Sequence, residues 1–538
     1  MTVDASHIIH ARSSCQPAHW TTALITVLLA TAANAGPDEN TNAVRDLAGH
    51  VGPIIGSALS CHDIPQNRID GVAEKFRAVI KQNSPNNADR DDLLRVFDRH
   101  VNDGRTSITS GKINCAAAER ELADLEQSLS APNSPSGAAS TPSSVSAPAS
   151  AAAAAVPTTT QPVTSTARSA TDREIRFGIV APFSGASREL GRQMKFGIDT
   201  AFNRINDAGG LEGRTLRLIA ADDGNEPTRT LPAMKQLYEK DQVFAYVGNV
   251  GTATAAVAVP YALGHHALFF GAFSGAPNLR HDPPDRYVFN YRASYTEETD
   301  AAVRYLLKVR GLQPKEIAVF AQQDAFGDAG FAGVTRAFRS LGLNSTKILR
   351  LGYKRNTVDV DGAFNSLRAQ KATIKAVVMV ATYRAAAKFI EKSRALTPGM
   401  IYTNVSSVGA SELADELMLQ GQRFASGVIV TQVVPAIDGY SSAVLDYKNA
   451  LAKYFPGEPP NYISFEGFVA ANVLIEGIKR AGPQLDAEKL IEMLENTHNL
   501  DLGLGTPLNF GRSEHQASHK VWGTAIDDNG KYEPLELD

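Results

Sequence analysis

The chain has 538 residues, 53 basic against 57 acidic side chains (formal net charge −4), and 43% hydrophobic residues. That length exceeds a single domain, and that apolar share supports a sizeable core. The near balance of charge gives no support for a nucleic-acid-binding surface, which should show a clustered basic excess, so no nucleic-acid partner is expected.

The first segment reads as an export leader. Arg12 precedes an apolar stretch, WTTALITVLLAT (Trp20 to Thr31), and the small residues Ala33-Asn34-Ala35 follow with A-x-A spacing. The apolar run is short for a bilayer span, so residues 1–35 are expected to be a cleavable signal peptide that delivers the chain to the periplasm; an uncleaved anchor is the alternative. Cys15 lies before the apolar run, the wrong side for lipid attachment. Two cysteines then remain, Cys61 and Cys115. In an oxidising compartment they most simply pair, closing a loop of about 55 residues worth roughly 4 kcal/mol; two buried thiols are the other possibility.

Around that pair the apolar spacing is helical. Ile69, Val72, Phe76, Val79 and Ile80 fall on one face, as do Leu93, Phe97 and Val101, and later Leu122, Leu125 and Leu129. Residues 36–130 are therefore expected to form a small all-α module stapled by one disulfide, with no chemical constellation and a docking or spacer role. Residues 131–171 are dominated by Ala, Ser, Pro and Thr and cannot bury enough apolar surface to fold. As a flexible linker they span on the order of 35 Å.

From Asp172 strands and helices alternate. Ile175 to Phe183 is a strand run, and Leu190, Met194, Ile198, Ala201, Phe202 and Ile205 mark one helical face. Leu216 to Ala221, Phe244 to Val247, Ala267 to Phe270, Ile317 to Ala321 and Ala376 to Val380 are strand-like, with helical stretches between nearly all of them. This is the α/β pattern of doubly wound parallel sheets, and residues 172–538 are long enough for two lobes.

The stretch GNVGTATAA (Gly248 to Ala256) ends the strand run FAYV in a glycine turn and opens a helix. Such a turn points free N–H groups at a ligand, or Thr252 merely caps the helix. It has no lysine, so it is not a P-loop. No G-x-G-x-x-G after a strand, G-x-S-x-G or H-E-x-x-H is present. His265 and His266 are a vicinal pair with no third ligand at metal spacing, and His515 and His519, four apart, sit among polar and glycine residues; all four read as structural or surface histidines. The expectation is a protein without cofactor, metal site or enzymatic activity.

The order of landmarks resembles the Leu/Ile/Val-binding-protein family of periplasmic solute receptors, with its type I periplasmic-binding fold. APFSGASRELGRQMKFGIDTAFNRINDAGGLEGRTLRLIAADD is similar to the family's opening strand, loop, helix and acidic strand end. GNVGTATAA, GAFSGAPNLR, VFNYRASYTEET, AVFAQQDAFGDAG and GVIVTQVVP follow in family order. The resemblance covers essentially all of 172–538 and leaves 36–130 as an addition. It implies two lobes joined by three crossovers, lobe one holding about 172–293 and 427–510, lobe two about 294–426 and 511–538.

It also implies a ligand in the cleft, held at Gly251, Thr252 and Thr254 by its carboxylate or equivalent polar end. Phe273, Ser274 and Gly275 would form a second contact loop. Tyr295 would supply a polar contact from lobe two, with Phe326 and Tyr383 at aromatic positions. Amino-acid receptors of the family place a carboxylate near the stretch matching YTNVSSVG (Tyr402 to Gly409) to hold an ammonium; this stretch has none, so an amino-acid ligand requires Glu297, Glu298 or Asp324 to substitute. The implied function is a monomeric extracytoplasmic receptor of an ABC uptake system, partnered by a membrane permease and taking up a small polar solute (amino acid, carboxylate or amide). A sensory receptor serving a membrane signalling partner is the alternative.

Overall fold

The computed structural model describes residues 37–61, 64–82, 84, 87–109, 114–130, 173–345 and 347–537. The expected leader and linker lie outside them. Two compact units result, divided near residue 162.

The first unit is helical: α1 (Pro37–Leu59), α2 (Gln66–Gln82), α3 (Asn87–Thr109) and α4 (Cys115–Ser130). Ile69, Val72, Phe76 and Ile80 of α2 are buried with Leu93 and Phe97 of α3 and Leu122 and Leu125 of α4. The Phe76 and Phe97 rings lie 5.1 Å apart. The 3–4 spacing read from the sequence thus builds one apolar core. Cys61 and Cys115 are joined by a disulfide, with their Cα atoms 5.6 Å apart.

The second unit alternates strands and helices. Its first half contains β1 (Glu174–Ala181), α5 (Arg188–Asp207), β2 (Thr215–Asp222), α6 (Pro227–Lys235), β3 (Ala245–Val247), α7 (Thr252–Gly264), β4 (Phe269–Phe270) and β5 (Val288–Phe289). These strands form a five-stranded parallel sheet in the order β2-β1-β3-β4-β5. Next come α8 (Tyr295–Arg304), β6 (Ile317–Gln322), α9 (Ala325–Ser340), β7 (Leu349–Tyr353), α10 (Asp361–Ala369), β8 (Ala376–Val380), α11 (Tyr383–Leu396), β9 (Ile401–Asn404), α12 (Ala410–Gln420) and β10 (Ile429–Gln432). Three helices, α13 (Ser442–Tyr454), α14 (Tyr462–Ala481) and α15 (Ala487–Glu495), precede the closing strands β11 (Trp522–Ile526) and β12 (Tyr532–Leu535).

The second sheet runs β12-β11-β10-β9-β8-β6-β7, parallel except where β11 pairs antiparallel with β10 and with β12. Its central strands β6 and β8 are buried throughout. That is why they read as unbroken apolar runs rather than alternating ones.

Two boundaries differ from the sequence expectation. Strand β10, assigned to lobe one through the 427–510 segment, pairs with β9 and belongs to the second sheet. Residues 511–518, assigned to lobe two, lie against the first: Gln516 bridges Asn290, and the His515 ring stacks on Phe289 at 3.8 Å. Apolar runs mark a strand without naming the neighbour it will pair with, so sheet membership was not readable at these crossovers. Helix α14 returns to the first sheet and packs on α5. Gly197 permits that approach, since a Cβ there would lie 1.9 Å from the Ser464 carbonyl oxygen.

Candidate functional site

The carboxyl ends of the two sheets face a shared cleft. Parallel α/β sheets place their loops and helix N-termini there, which makes it the expected position for a ligand. The first sheet supplies Leu190, Asn225, Val250, Gly251, Thr252, Ala253 and Phe273; the second supplies Tyr295, Gln322, Asp324, Phe326, Thr382 and Ser407.

The glycine turn after β3 is the polar floor of the first half. Gly251 adopts φ 108°, a conformation an L side chain resists, and releases the chain directly into α7 at Thr252. The N–H groups of Thr252, Ala253 and Thr254 fall in the first turn, where no intrahelical acceptor exists. No side chain caps α7. The alternative that Thr252 serves as a cap is therefore set aside: its hydroxyl instead meets Ser274 Oγ at 2.7 Å and Tyr295 Oη at 3.5 Å. Tyr295 in turn donates to Ser407 Oγ at 3.0 Å. A row of four hydroxyls, Ser274–Thr252–Tyr295–Ser407, thus crosses from one sheet to the other. Such a row can donate to or accept from a polar solute.

Leu190, Val250, Phe273 and Phe326 give the cleft an apolar side, with the Tyr295 and Phe326 rings 5.3 Å apart. Gln322 is aimed by its neighbours: it accepts from Tyr353 Oη at 2.9 Å and donates to Asp324 at 2.8 Å. The Tyr353 oxygen also accepts from the Thr382 N–H at 2.9 Å, which fixes the start of α11.

Of the nine residues named from the sequence, Gly251, Thr252, Phe273, Tyr295 and Phe326 line the cleft. The other four do not. Thr254 donates its hydroxyl back to the Val250 and Gly251 carbonyls. Ser274 stands behind Thr252. Gly275 makes room for Tyr295, because a Cβ on it would lie 2.7 Å from Tyr295 Cδ1. Tyr383 is buried at the start of α11, and its neighbour Thr382 faces the cleft instead. Leu190, Asn225, Val250, Ala253, Gln322, Thr382 and Ser407 were not singled out. Ser407 lies inside YTNVSSVG, a stretch without an acid that brings a hydroxyl to the cleft instead.

The three candidate carboxylates are each engaged. Glu298 is fully buried and pairs with Arg292 at 3.0 Å, while accepting from Ser406 N at 2.7 Å and Thr431 Oγ1 at 2.6 Å. Arg292 also meets Glu466 of α14 at 3.3 Å, and its guanidinium lies 5.1 Å from the centre of the Phe273 ring. Burial pushes the Glu466 carboxyl up to about 7, against the opposing pull of Arg292. This buried cluster underlies the cleft wall and ties α14 of the first half to α8 of the second.

Glu297 points elsewhere. It accepts from Ser294, from Gln516 at 3.0 Å and from His519 at 2.6 Å. Burial opposes its charge, but these partners prevail and hold its carboxyl down at about 2. Asp324 does line the cleft; it caps α9 by accepting from Phe326 N at 3.0 Å and is paired with Arg355 at 3.1 Å. His265 meets the Tyr261 carbonyl and His266 stacks on Tyr287, as structural histidines do. Among the described residues no group of His, Cys, Asp and Glu has metal-binding geometry, and no helix is long and apolar enough to cross a membrane.

Residues 174–531 match the family model of the periplasmic binding proteins, and the chain belongs to that family. Its members are solute-binding receptors, and the family implies a periplasmic location. Leu/Ile/Val-binding protein homolog 3 of Brucella melitensis is 28% identical over 344 residues, 63% of this chain and 88% of that one. An amino acid binding protein of Pseudomonas aeruginosa is 25% identical over 372 residues, 67% of this chain and 92% of that one. The crystal structure of a possible leucine/isoleucine/valine-binding protein from Rhodopirellula baltica is 37% identical with a TM-score of 0.65, covering 69% of this chain and 98% of that one. The fold is accordingly the type I periplasmic-binding fold.

Proposed function

We propose that this protein is the extracytoplasmic binding protein of an ABC-type uptake system, exported by its leader and delivering a small polar solute to a membrane permease as a monomer. The observation that carries the reading is the cleft itself. A helix N-terminus with unpaired N–H groups and the Thr252 hydroxyl stands on one side, and an aromatic and hydroxyl wall at Tyr295, Phe326 and Ser407 on the other. The positive end of α7 favours an anionic or strongly polar group. The apolar side formed by Leu190, Phe273 and Phe326 suits a compact hydrocarbon or aromatic body. Gly251, Thr252, Phe273, Tyr295 and Phe326 are the ligand contacts assigned here. Thr254, Ser274, Gly275 and Tyr383 act behind them, by shaping the turn, holding Thr252, seating Tyr295 and packing the start of α11.

The charges in the wall favour a solute without an ammonium group. Glu298 is neutralised by Arg292, and Asp324 is paired with Arg355, so an ammonium would have to displace an existing partner. Small carboxylates or amides fit this wall better than amino acids. No step of covalent chemistry is assigned to the site. The direct test is to denature the purified exported protein and identify by mass spectrometry the small molecules it releases. A carboxylate or amide released at about one per chain supports the reading; a stoichiometric amino acid would overturn the assignment of solute class.

The separate helical unit supports a second reading, in which the cleft protein presents its solute to a membrane sensor. That unit has its own core and its own disulfide and lies outside the family match. Co-purification with a permease or with a sensor kinase separates the two.

A further inference from the structure

Two loops meet across the cleft beside Asn225 and Asp324. One follows β2 of the first sheet and contains Gly224, Asn225 and Glu226; the other follows β7 of the second and contains Arg355 and Asn356. Arg355 donates one nitrogen to Glu226 Oε2 at 2.9 Å and another to Asp324 Oδ2 at 3.1 Å. Asn356 Nδ2 donates to Glu226 Oε1 at 2.7 Å and to the Gly224 carbonyl at 3.0 Å. Asn225 Nδ2 donates to Asn356 Oδ1 at 3.3 Å. Asn225 and Asn356 both have left-handed backbones, φ 59° and 58°, a conformation asparagine tolerates better than most residues.

We propose that Arg355 and Asn356 form a latch that holds the two lobes together and so sets how long a solute is retained. The proposal rests on the reading of the cleft as the solute site. Its physical basis is that every bond from these two residues to Gly224, Asn225 or Glu226 joins one lobe to the other. Such bonds exist only with the lobes together, so their whole free energy bears on the opening equilibrium. The bond from Arg355 to Asp324 lies within the second lobe and survives opening. Asp324 is itself fixed as the cap of α9, which keeps the guanidinium aimed at Glu226. The ion pair is partly exposed, at 23% for Arg355 and 39% for Glu226, so salt should weaken it.

The test is amide hydrogen exchange on the full chain in solute-free buffer, comparing the wild type with Arg355→Ala and Asn356→Gly. Glycine keeps the left-handed backbone and removes the side chain that carries the amide. Amides of 252–254 and 406–409 line or adjoin the cleft and report opening. They are expected to exchange roughly five- to tenfold faster in Arg355→Ala, and faster also in Asn356→Gly. About 1 M sodium chloride should move the wild type toward the variants. The buried helix 462–481 should keep its wild-type rate. Unchanged exchange at both cleft segments in both variants overturns the latch, and so does equal acceleration in 462–481. No solute enters this experiment, so failure to find a bound solute counts against the cleft reading and leaves the exchange result standing.

Discussion

Thr252 shows how a single hydroxyl can be assigned between capping and binding. Its side chain makes no cap bond to α7 and stands in the row joining Ser274 to Tyr295. Thr252→Val keeps the shape and deletes the hydroxyl. If that hydroxyl donates to a charged solute end, affinity should fall about ten- to over a hundredfold, the equivalent of roughly 1.5–3 kcal/mol. Calorimetric titration with the released solute reads this, and the melting temperature should fall far less than loss of a helix cap would require. Arg292 is a different kind of residue: it is 1% exposed and touches Glu298, Glu466 and the Phe273 ring. Arg292→Met leaves Glu298 buried beside no cation and should destabilise the second unit by about 3–5 kcal/mol in chemical denaturation. Arg292 was invisible in the sequence, because a lone arginine in NYRASY carries no periodic signal. The same holds for Arg355 and Asn356, whose partners lie 129 to 132 positions away. What could be read was local: the glycine turn before Thr252 and the order of strand ends that become the cleft.

At the scale of elements, apolar runs and helical faces located β1, β3, β6 and β8 closely, since strands buried on both faces must be continuously apolar; the edge strand β2 was located as well, although it exposes Thr215, Arg217 and Ala220. The crossovers were less legible. Strand β10 and residues 511–518 went to the wrong halves because sheet partnership depends on contacts far apart in sequence. One such contact joins the segment before β11 to the start of α8, where His519 pairs with Glu297 and Gln516 holds the same carboxylate. Arg280 braces this junction by donating to Gln516, at 2.6 Å, and to the Arg292 carbonyl, at 2.9 Å. The Glu297 hydrogen bond raises the His519 imidazole above its ordinary value, while burial and Arg280 oppose. A raised folded value means the contribution is complete below the unfolded value near 6.5 and is lost as pH rises through the folded one. Glu297, held at about 2, keeps its charge until pH falls that far. His519→Gln should therefore lower the melting temperature at about pH 5.5 and leave it nearly unchanged at about pH 9. A deficit of equal size at both pH values would show that the imidazole acts through packing alone.

At the scale of the whole molecule, the chain carries a family receptor unit and a helical unit with its own core. Cys61→Ala with Cys115→Ala should destabilise the helical unit by roughly 4 kcal/mol, seen as a shift of its calorimetric transition, while the transition of the receptor unit stays in place. Residues 172–538 expressed alone should fold and bind with the affinity of the full chain, because the cleft is lined from that unit only. The central claim is that a solute is held in that cleft between the two sheets. The most direct measurement is calorimetric titration of the molecule released from the purified protein into wild-type chain and into Thr252→Val and Tyr295→Ala variants. The account predicts one molecule bound per wild-type chain and binding at least tenfold weaker in both variants, with their folds intact. Wild-type affinity in both variants would contradict it and place the solute elsewhere on the molecule.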